Sequence, residues 1–430
     1  MRYDPADSEL FVRNRSRLRE LLSGSSIAIL NSNDVMPTNA DGTMLLKQNT
    51  DLYYLSGIDQ EESILLLFPD AKKENDREIL FIRETNEHIA IWEGEKLTKK
   101  KATALSGVKN IQWTNLFDET LHRLIQQAEH VYLNVNEHLR PEITVQTRDS
   151  RFIKKCMAAY PLHKFERLAP LMHRLRIIKD EEEVKMLQKA CDITEAGFRR
   201  ILQFVKPGVA EWEVEAEYIH EFIRNKSKGF AYIPIIGSGK NALCLHYMEN
   251  NQVCEDGEML LMDVGAEYGN WNADMTRTIP VNGKFTDRQR AVYNSVLNVL
   301  RKCNEIMRPG MLPSDYQKKS VAFMEEELIK LELIDADEAN KQSDEKPLVK
   351  KYFMHGTSHH LGLDVHDVSP TEEPFAVGMV FTIEPGIYIP EENMGIRLEN
   401  DFLIGEGKNI DLMANIPIEA DEIEALMATA

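Results

Sequence analysis

Cysteine is scarce in this chain and forms no pattern. Cys156, Cys191, Cys244, Cys254 and Cys303 are odd in number, widely scattered and without a CxxC pair. That argues against a disulfide framework and for a reducing, cytoplasmic setting. Positive charge is also short: 51 Lys and Arg stand against 70 Asp and Glu, a formal net charge of −19. A nucleic-acid partner needs a basic surface, so none is expected. Long apolar runs are missing too. Stretches such as 63–68 are far too short to cross a bilayer, and the start, Met1-Arg-Tyr-Asp-Pro-Ala-Asp-Ser-Glu9, lacks the basic and apolar regions of a signal peptide. No membrane association is expected. Among catalytic motifs there is no HExxH and no GxSxG, and Gly237-Ser-Gly-Lys240 lacks the earlier glycine and following hydroxyl residue of a phosphate loop.

What remains is an ordinary globular composition, 43% hydrophobic and 28% charged over 430 residues, long enough for two or three domains. The pattern predicts a helix over 8–22, short strands over 26–30, 52–55, 63–68, 78–82 and 131–134, and a helix over 116–128. This intermixing reads as a compact α/β domain. From Lys164 helices dominate, over 165–175, 180–205 and 211–227, the second beginning at the acids Asp180-Glu-Glu-Glu183 that suit a helix N-terminus. The expected division is therefore 1–165 and 166–430, an α+β chain of two domains. Further helices are expected over 287–307 and 314–331. The segment 334–350, with Asp335, Asp337, Glu338, Asp344 and Glu345 among lysines, reads as a solvated insertion. Two strands, 379–389 and 395–404, follow.

The chemistry gathers on two hairpins. In the run 258–279 an apolar strand stops at Asp263, Gly269 marks a turn, and Asp274 follows. A turn centred on Tyr268-Gly269 would pair Asp263 directly with Asp274, with Cβ atoms roughly 5 Å apart on one face. The two last strands carry Glu384 and Glu399, which could pair in the same way unless a bulge shifts them. Between the hairpins lies His355-Gly-Thr-Ser-His359-His360-Leu-Gly-Leu-Asp-Val-His366-Asp367. One such acid is more often a salt-bridge partner, and one such histidine is more often structural. Four inward acids with few cations nearby would protonate unless metal ions neutralise them. One imidazole and four carboxylates can hold two divalent ions about 3.5–4 Å apart with a hydroxide between them. Oxygen-rich ligation favours Mn2+, and the imidazole also admits Co2+, Zn2+ or Fe2+.

These residues carry a resemblance. Gly237-Ser-Gly, Leu245-His246-Tyr247, Asp263 with Asp274, Thr276-Arg277-Thr278, the His355–Asp367 run, Thr382-Ile-Glu384-Pro-Gly386 and Gly395-Ile-Arg397-Leu-Glu399 together resemble the aminopeptidase P (Xaa-Pro aminopeptidase) branch of the pita-bread metallopeptidases. Gln48-Asn-Thr-Asp-Leu-Tyr-Tyr-Leu-Ser-Gly57 and Ile91-Trp92-Glu-Gly94 resemble its N-terminal domain. The 334–350 insertion departs from compact members. The resemblance implies an N-terminal creatinase-like domain, serving oligomerisation and substrate access, and a C-terminal pita-bread catalytic domain. It implies hydrolysis of the first bond of peptides with proline at position 2, and a homodimer or homotetramer. In its terms Asp263 chelates one metal, Asp274 and Glu399 are shared by both, and His359 and Glu384 complete the second. Glu384 is then the proton acceptor, and His246, His355 and His366 surround the substrate as catalytic or binding groups. Arg397 and Tyr388 support them. Tyr232 lines the pocket, and Trp92 either reaches a neighbouring subunit or caps its own domain. Prolidase, which cuts only Xaa-Pro dipeptides, and a pita-bread binding protein without chemistry are the alternatives.

Overall fold

The structure is a computed structural model that describes residues 2–138, 143–343, 347–370 and 372–429. It folds as two compact units, one of Pro5–Arg176 and one of Ile177–Ala430 together with Met1–Asp4.

The first unit is built on a six-stranded mixed sheet. Its order is Ile111–Trp113, Glu78–Ile82, Ile64–Leu67, Ser26–Asn31, His130–Leu133 and Lys164–Arg167. The fully buried strand Ser26–Asn31 sits near the middle, antiparallel to Ile64–Leu67 and parallel to His130–Leu133. The helix Phe117–Ile125 lays Phe117, Leu121 and Leu124 along one stripe against Ile27, Ile29, Leu66 and Phe81. Two expectations fail here. Residues 52–55 are not a strand but lie in the helix Thr50–Ser56: the Asn49 side chain accepts from the Leu52 N–H, and Gly57 ends the helix in a left-handed conformation with φ 64°. Caps at both ends outweigh the β-preference of Tyr53 and Tyr54. Nor is 165–175 one helix. Residues Lys164–Arg167 join the sheet as its edge strand, and only Ala169–Arg176 is helical. The unit therefore runs past 165 to Arg176, whose buried guanidinium bonds Asp51 at 2.8 Å.

In the second unit the helices Glu181–Phe204, Glu211–Arg224, Asp287–Ile306 and Pro313–Lys330 lie where the sequence places them, within a few residues. The acids at 180–183 form a capping box, Asp180 and Glu183 each bonding the other's backbone N–H. The 334–350 segment is less solvated than its charge suggests. It contains the short helix Ala336–Ala339 with Ala339 buried, and Val349 is buried in the turn Leu348–Lys351. Asp344 and Glu345 lie outside the described residues. Short antiparallel strands complete the unit: Ile235–Ser238, Met259–Val264 and Met275–Pro280 form one sheet, and Val380–Ile383 pairs with Asn400–Leu403. Among the described residues no helix is long and apolar enough to cross a membrane.

Candidate metal centre

The first hairpin turns at Gly269-Asn270, one residue later than expected. Both residues have positive φ, 61° and 73°, as a two-residue type I′ turn requires. The register is consequently Asp263 opposite Thr276, with Glu267 opposite Asn272. Asp263 does not face Asp274 directly, which corrects the predicted pairing. The shift moves the partner by two residues, and side chains alternate with a period of two, so Asp274 stays on the same face as a diagonal neighbour. The Tyr232 hydroxyl marks the convergence, lying 2.6 Å from Asp263 Oδ1 and 2.6 Å from Asp274 Oδ1. Gly265 is needed at the break in the ladder, because a Cβ there would lie 1.8 Å from the Ala273 carbonyl oxygen.

The second hairpin keeps one register throughout. Ile383 faces Asn400 before a short break and Gly386 faces Arg397 after it. Glu384 therefore falls opposite Glu399 without a bulge. Thr276 stitches the hairpins together: its hydroxyl donates to Glu399 Oε2 at 2.7 Å, its carbonyl accepts from the Glu399 N–H at 3.0 Å, and Arg397 Nε donates to its hydroxyl at 3.0 Å.

His359 reaches the same place from the intervening loop. Its Nδ1 lies 3.0 Å from the His360 carbonyl, to which it donates, so Nε2 is turned to the acids, 3.4 Å from Asp274 Oδ2 and 3.8 Å from Glu384 Oε1. Ligand atoms of Asp274, His359 and Glu399 all lie within 4.8 Å of one another. The loop is braced by the buried pair Lys179 Nζ–Asp367 Oδ2 at 2.6 Å and by the Asn272 amide, which donates to the carbonyls of Gly362 and Leu363. So held, the His366 ring sits 4.3 Å from the His359 ring.

A chain of hydrogen bonds borders the acids. Arg397 Nη2 donates to Asp263 Oδ2 at 2.5 Å, and Nη1 donates to the Tyr388 hydroxyl at 2.8 Å, which lies 2.9 Å from His355 Nε2. The other ring nitrogen of His355 bonds the Gly356 carbonyl at 2.7 Å. Burial first, then the nearby Arg397 guanidinium, pushes His355 down to about 4, so it is neutral at physiological pH. His246 is exposed on the turn after Gly239–Leu243. Trp92 belongs to the first unit, on the helix Glu87–Glu93, which has no buried residue. At 78% exposure its indole does not cap that unit.

The donor set fits two divalent cations. Burial, reinforced by Asp274 and Glu384, lifts Glu399 well above the ordinary glutamate range. Burial also raises Asp263 against the pull of Arg397. Glu384 is pushed up to about 7, mainly by burial, with His359 and Arg397 opposing. One guanidinium at bonding distance does not balance four acids, whereas four carboxylates and an imidazole nitrogen suit divalent ions. A stability test follows from the sign of these shifts. A carboxyl raised on folding stabilises the folded chain below its ordinary 4.5 and loses that contribution as pH rises to about 7. The melting temperature of metal-free protein is expected to fall across that window. A divalent cation at 100 times its Kd should restore about 2.7 kcal/mol. A melting temperature indifferent to both would contradict the assignment.

Two neighbours escaped the sequence reading. Asp401 Oδ2 accepts the backbone N–H of Asp274 at 3.1 Å, and Asp401 is fully buried. Its spacing of two from Glu399 on an extended segment was the available signal. Thr276 was visible only as part of a motif.

Residues 185–406 match Metallopeptidase family M24, and residues 11–132 match Aminopeptidase P, N-terminal domain. The chain is 34% identical to the Xaa-Pro aminopeptidase of Escherichia coli strain K12 over 98% of both chains. It is 30% identical to Xaa-Pro aminopeptidase 3 of Homo sapiens over 89% of this chain and 77% of that one. A solved structure of zinc-substituted Escherichia coli aminopeptidase P in complex with product superposes with a TM-score of 0.87 at 32% identity, covering 99% of each chain. The expected N-terminal domain and pita-bread metallopeptidase domain are thus both present. With two acid-bearing hairpins closing on one histidine, the chain belongs to metallopeptidase family M24, in the branch that carries the aminopeptidase P N-terminal domain.

Proposed function

We propose that this metallopeptidase removes the first residue from peptides whose second residue is proline. The observation that carries the reading is that ligand atoms of Asp274, His359 and Glu399 lie within 4.8 Å of one another, with Asp263 joined to Asp274 through the Tyr232 hydroxyl and Glu384 Oε1 3.8 Å from His359 Nε2. These five would hold two divalent ions, with Mn2+ first by its preference for oxygen donors. When bound, the ions supply a water nucleophile at neutral pH and polarise the scissile carbonyl. Glu384 takes the proton of the attacking water and passes it to the departing proline nitrogen. His355, with both ring nitrogens engaged by Tyr388 and Gly356, orients the wall of the pocket. His366, whose ring lies 4.3 Å from the His359 ring, and the exposed His246 are assigned to the substrate. Arg397 and Tyr388 hold Asp263 and His355 in place, and Tyr232 steadies Asp263 and Asp274. Proline fits such a wall because its nitrogen carries no hydrogen and its ring fixes the chain.

The first domain, taken as 1–165 on sequence or to Arg176 on packing, is assigned to assembly and substrate access, with 166–430 as the catalytic domain. The exposed pair Ile91 and Trp92 supports assembly as a homodimer or homotetramer. Five free cysteines support a cytoplasmic location. The test is a digest by metal-loaded protein, with released residues identified for Gly-Pro and for a longer Xaa-Pro-Xaa peptide. Cleavage of the longer peptide is expected. Cleavage of the dipeptide alone would make the chain a prolidase, and cleavage of neither with ions bound would leave a binding protein.

A further inference from the structure

Glu211 takes no part in the chemistry above, yet its buried carboxylate serves four donors. It opens the helix Glu211–Arg224 and is 0% exposed. Oε1 accepts from the Ser238 N–H at 2.8 Å and from the Asn241 amide at 3.1 Å. Oε2 accepts from the Tyr247 hydroxyl at 2.8 Å and from the Gln252 N–H at 2.9 Å. The Glu211 N–H in turn donates to the Gln252 carbonyl at 2.9 Å. One side chain thus clips a segment at both ends, 238 and 252, and at two points between them.

His246 lies inside that clip, beside Tyr247. The Tyr247 ring packs with Ile235, Ala242, Leu261 and Tyr388, and the Tyr388 hydroxyl is the one bonded to Arg397 and near His355. The same segment rests on the second hairpin so closely that a Cβ on Gly395 would lie 2.3 Å from the Ala242 carbonyl oxygen. An exposed imidazole on a turn has little of its own to fix it, so its place relative to the acids is set by what holds the backbone on either side.

We propose that Glu211 is a positioning residue: through its four hydrogen bonds it fixes segment 238–252 and so presents the His246 imidazole to the substrate. The inference rests on the aminopeptidase reading for the substrate-facing role of His246 and for its kinetic readout.

Glu211→Gln keeps the volume but replaces one acceptor oxygen with a donor, so two of the four donors lose their partner. With the metal-loaded full chain and an Xaa-Pro-Xaa peptide, kcat/KM is expected to fall about tenfold, the scale of one to two lost buried hydrogen bonds. In a His246→Ala background the same substitution should change kcat/KM by less than about twofold, because the group being positioned is gone. Metal content should be unchanged, and amide exchange across 243–252 should quicken. An equal fall in both backgrounds would overturn the proposal, as would a lower melting temperature with unchanged kcat/KM. Should Glu211→Gln fail to fold, Tyr247→Phe removes one donor to Glu211, together with the hydroxyl's two contacts to Asn251, and keeps the ring. Its smaller fall, about threefold, must likewise vanish without His246, and an equal fall in both backgrounds would again overturn the proposal. If the unaltered chain cleaves no Xaa-Pro peptide, the functional reading fails by itself. Unchanged amide exchange in Glu211→Gln would still reject the clip.

Discussion

Glu384→Gln is expected to lower kcat on an Xaa-Pro-Xaa peptide by about 10²–10⁴-fold, the usual worth of a general acid–base group, with the fold retained. The carboxyl is suited to that task by its surroundings. It sits opposite Glu399 at the break in the second hairpin, with Oε1 3.8 Å from His359 Nε2 among the converging acids. The amide keeps the shape and one oxygen but cannot carry the proton. Steady-state kinetics beside a melting curve would check this. A fall of less than about tenfold in a well-folded, metal-loaded variant would show that another group moves the proton.

Asp274→Asn is expected to be as damaging by a different route. Asp274 Oδ2 lies 3.4 Å from His359 Nε2, its Oδ1 meets the Tyr232 hydroxyl, and its backbone N–H is anchored by Asp401. Losing its charge should weaken divalent-ion binding by more than the 10–100-fold typical of losing an outer supporting group. Turnover at a fixed ion concentration should fall with it. Equilibrium dialysis of both proteins measures the affinity. Retention of the full ion complement with lost turnover would move Asp274 out of the ligand set and into the chemistry.

Much of this was legible in the chain because it is written locally. The capping box at Asp180 and Glu183 announces its helix, and acids that interrupt apolar strands announce the hairpins. The errors are also local in origin. Asn49 and Gly57 carried cap signals that the aromatic run between them obscured, and Gly269-Asn270 is itself a type I′ dipeptide that moves the turn by one residue. The face survived that error because pairing moved by two. What the sequence could not reveal are the supports whose partners are remote along the chain. The spacing of Asp401 from Glu399 hints at a shared face but not at its bond to the Asp274 N–H, and Glu211 gathers donors as far away as Gln252. Only folding brings such groups together.

These buried acids coexist because cations lie among them. Isothermal titration of the chelator-treated chain with Mn2+ at pH 7 tests it most directly. Two ions bound per chain, with protons released as the carboxyls and His359 give them up, is the predicted result. No saturable binding, with the acids remaining protonated and the chain equally stable, would contradict it.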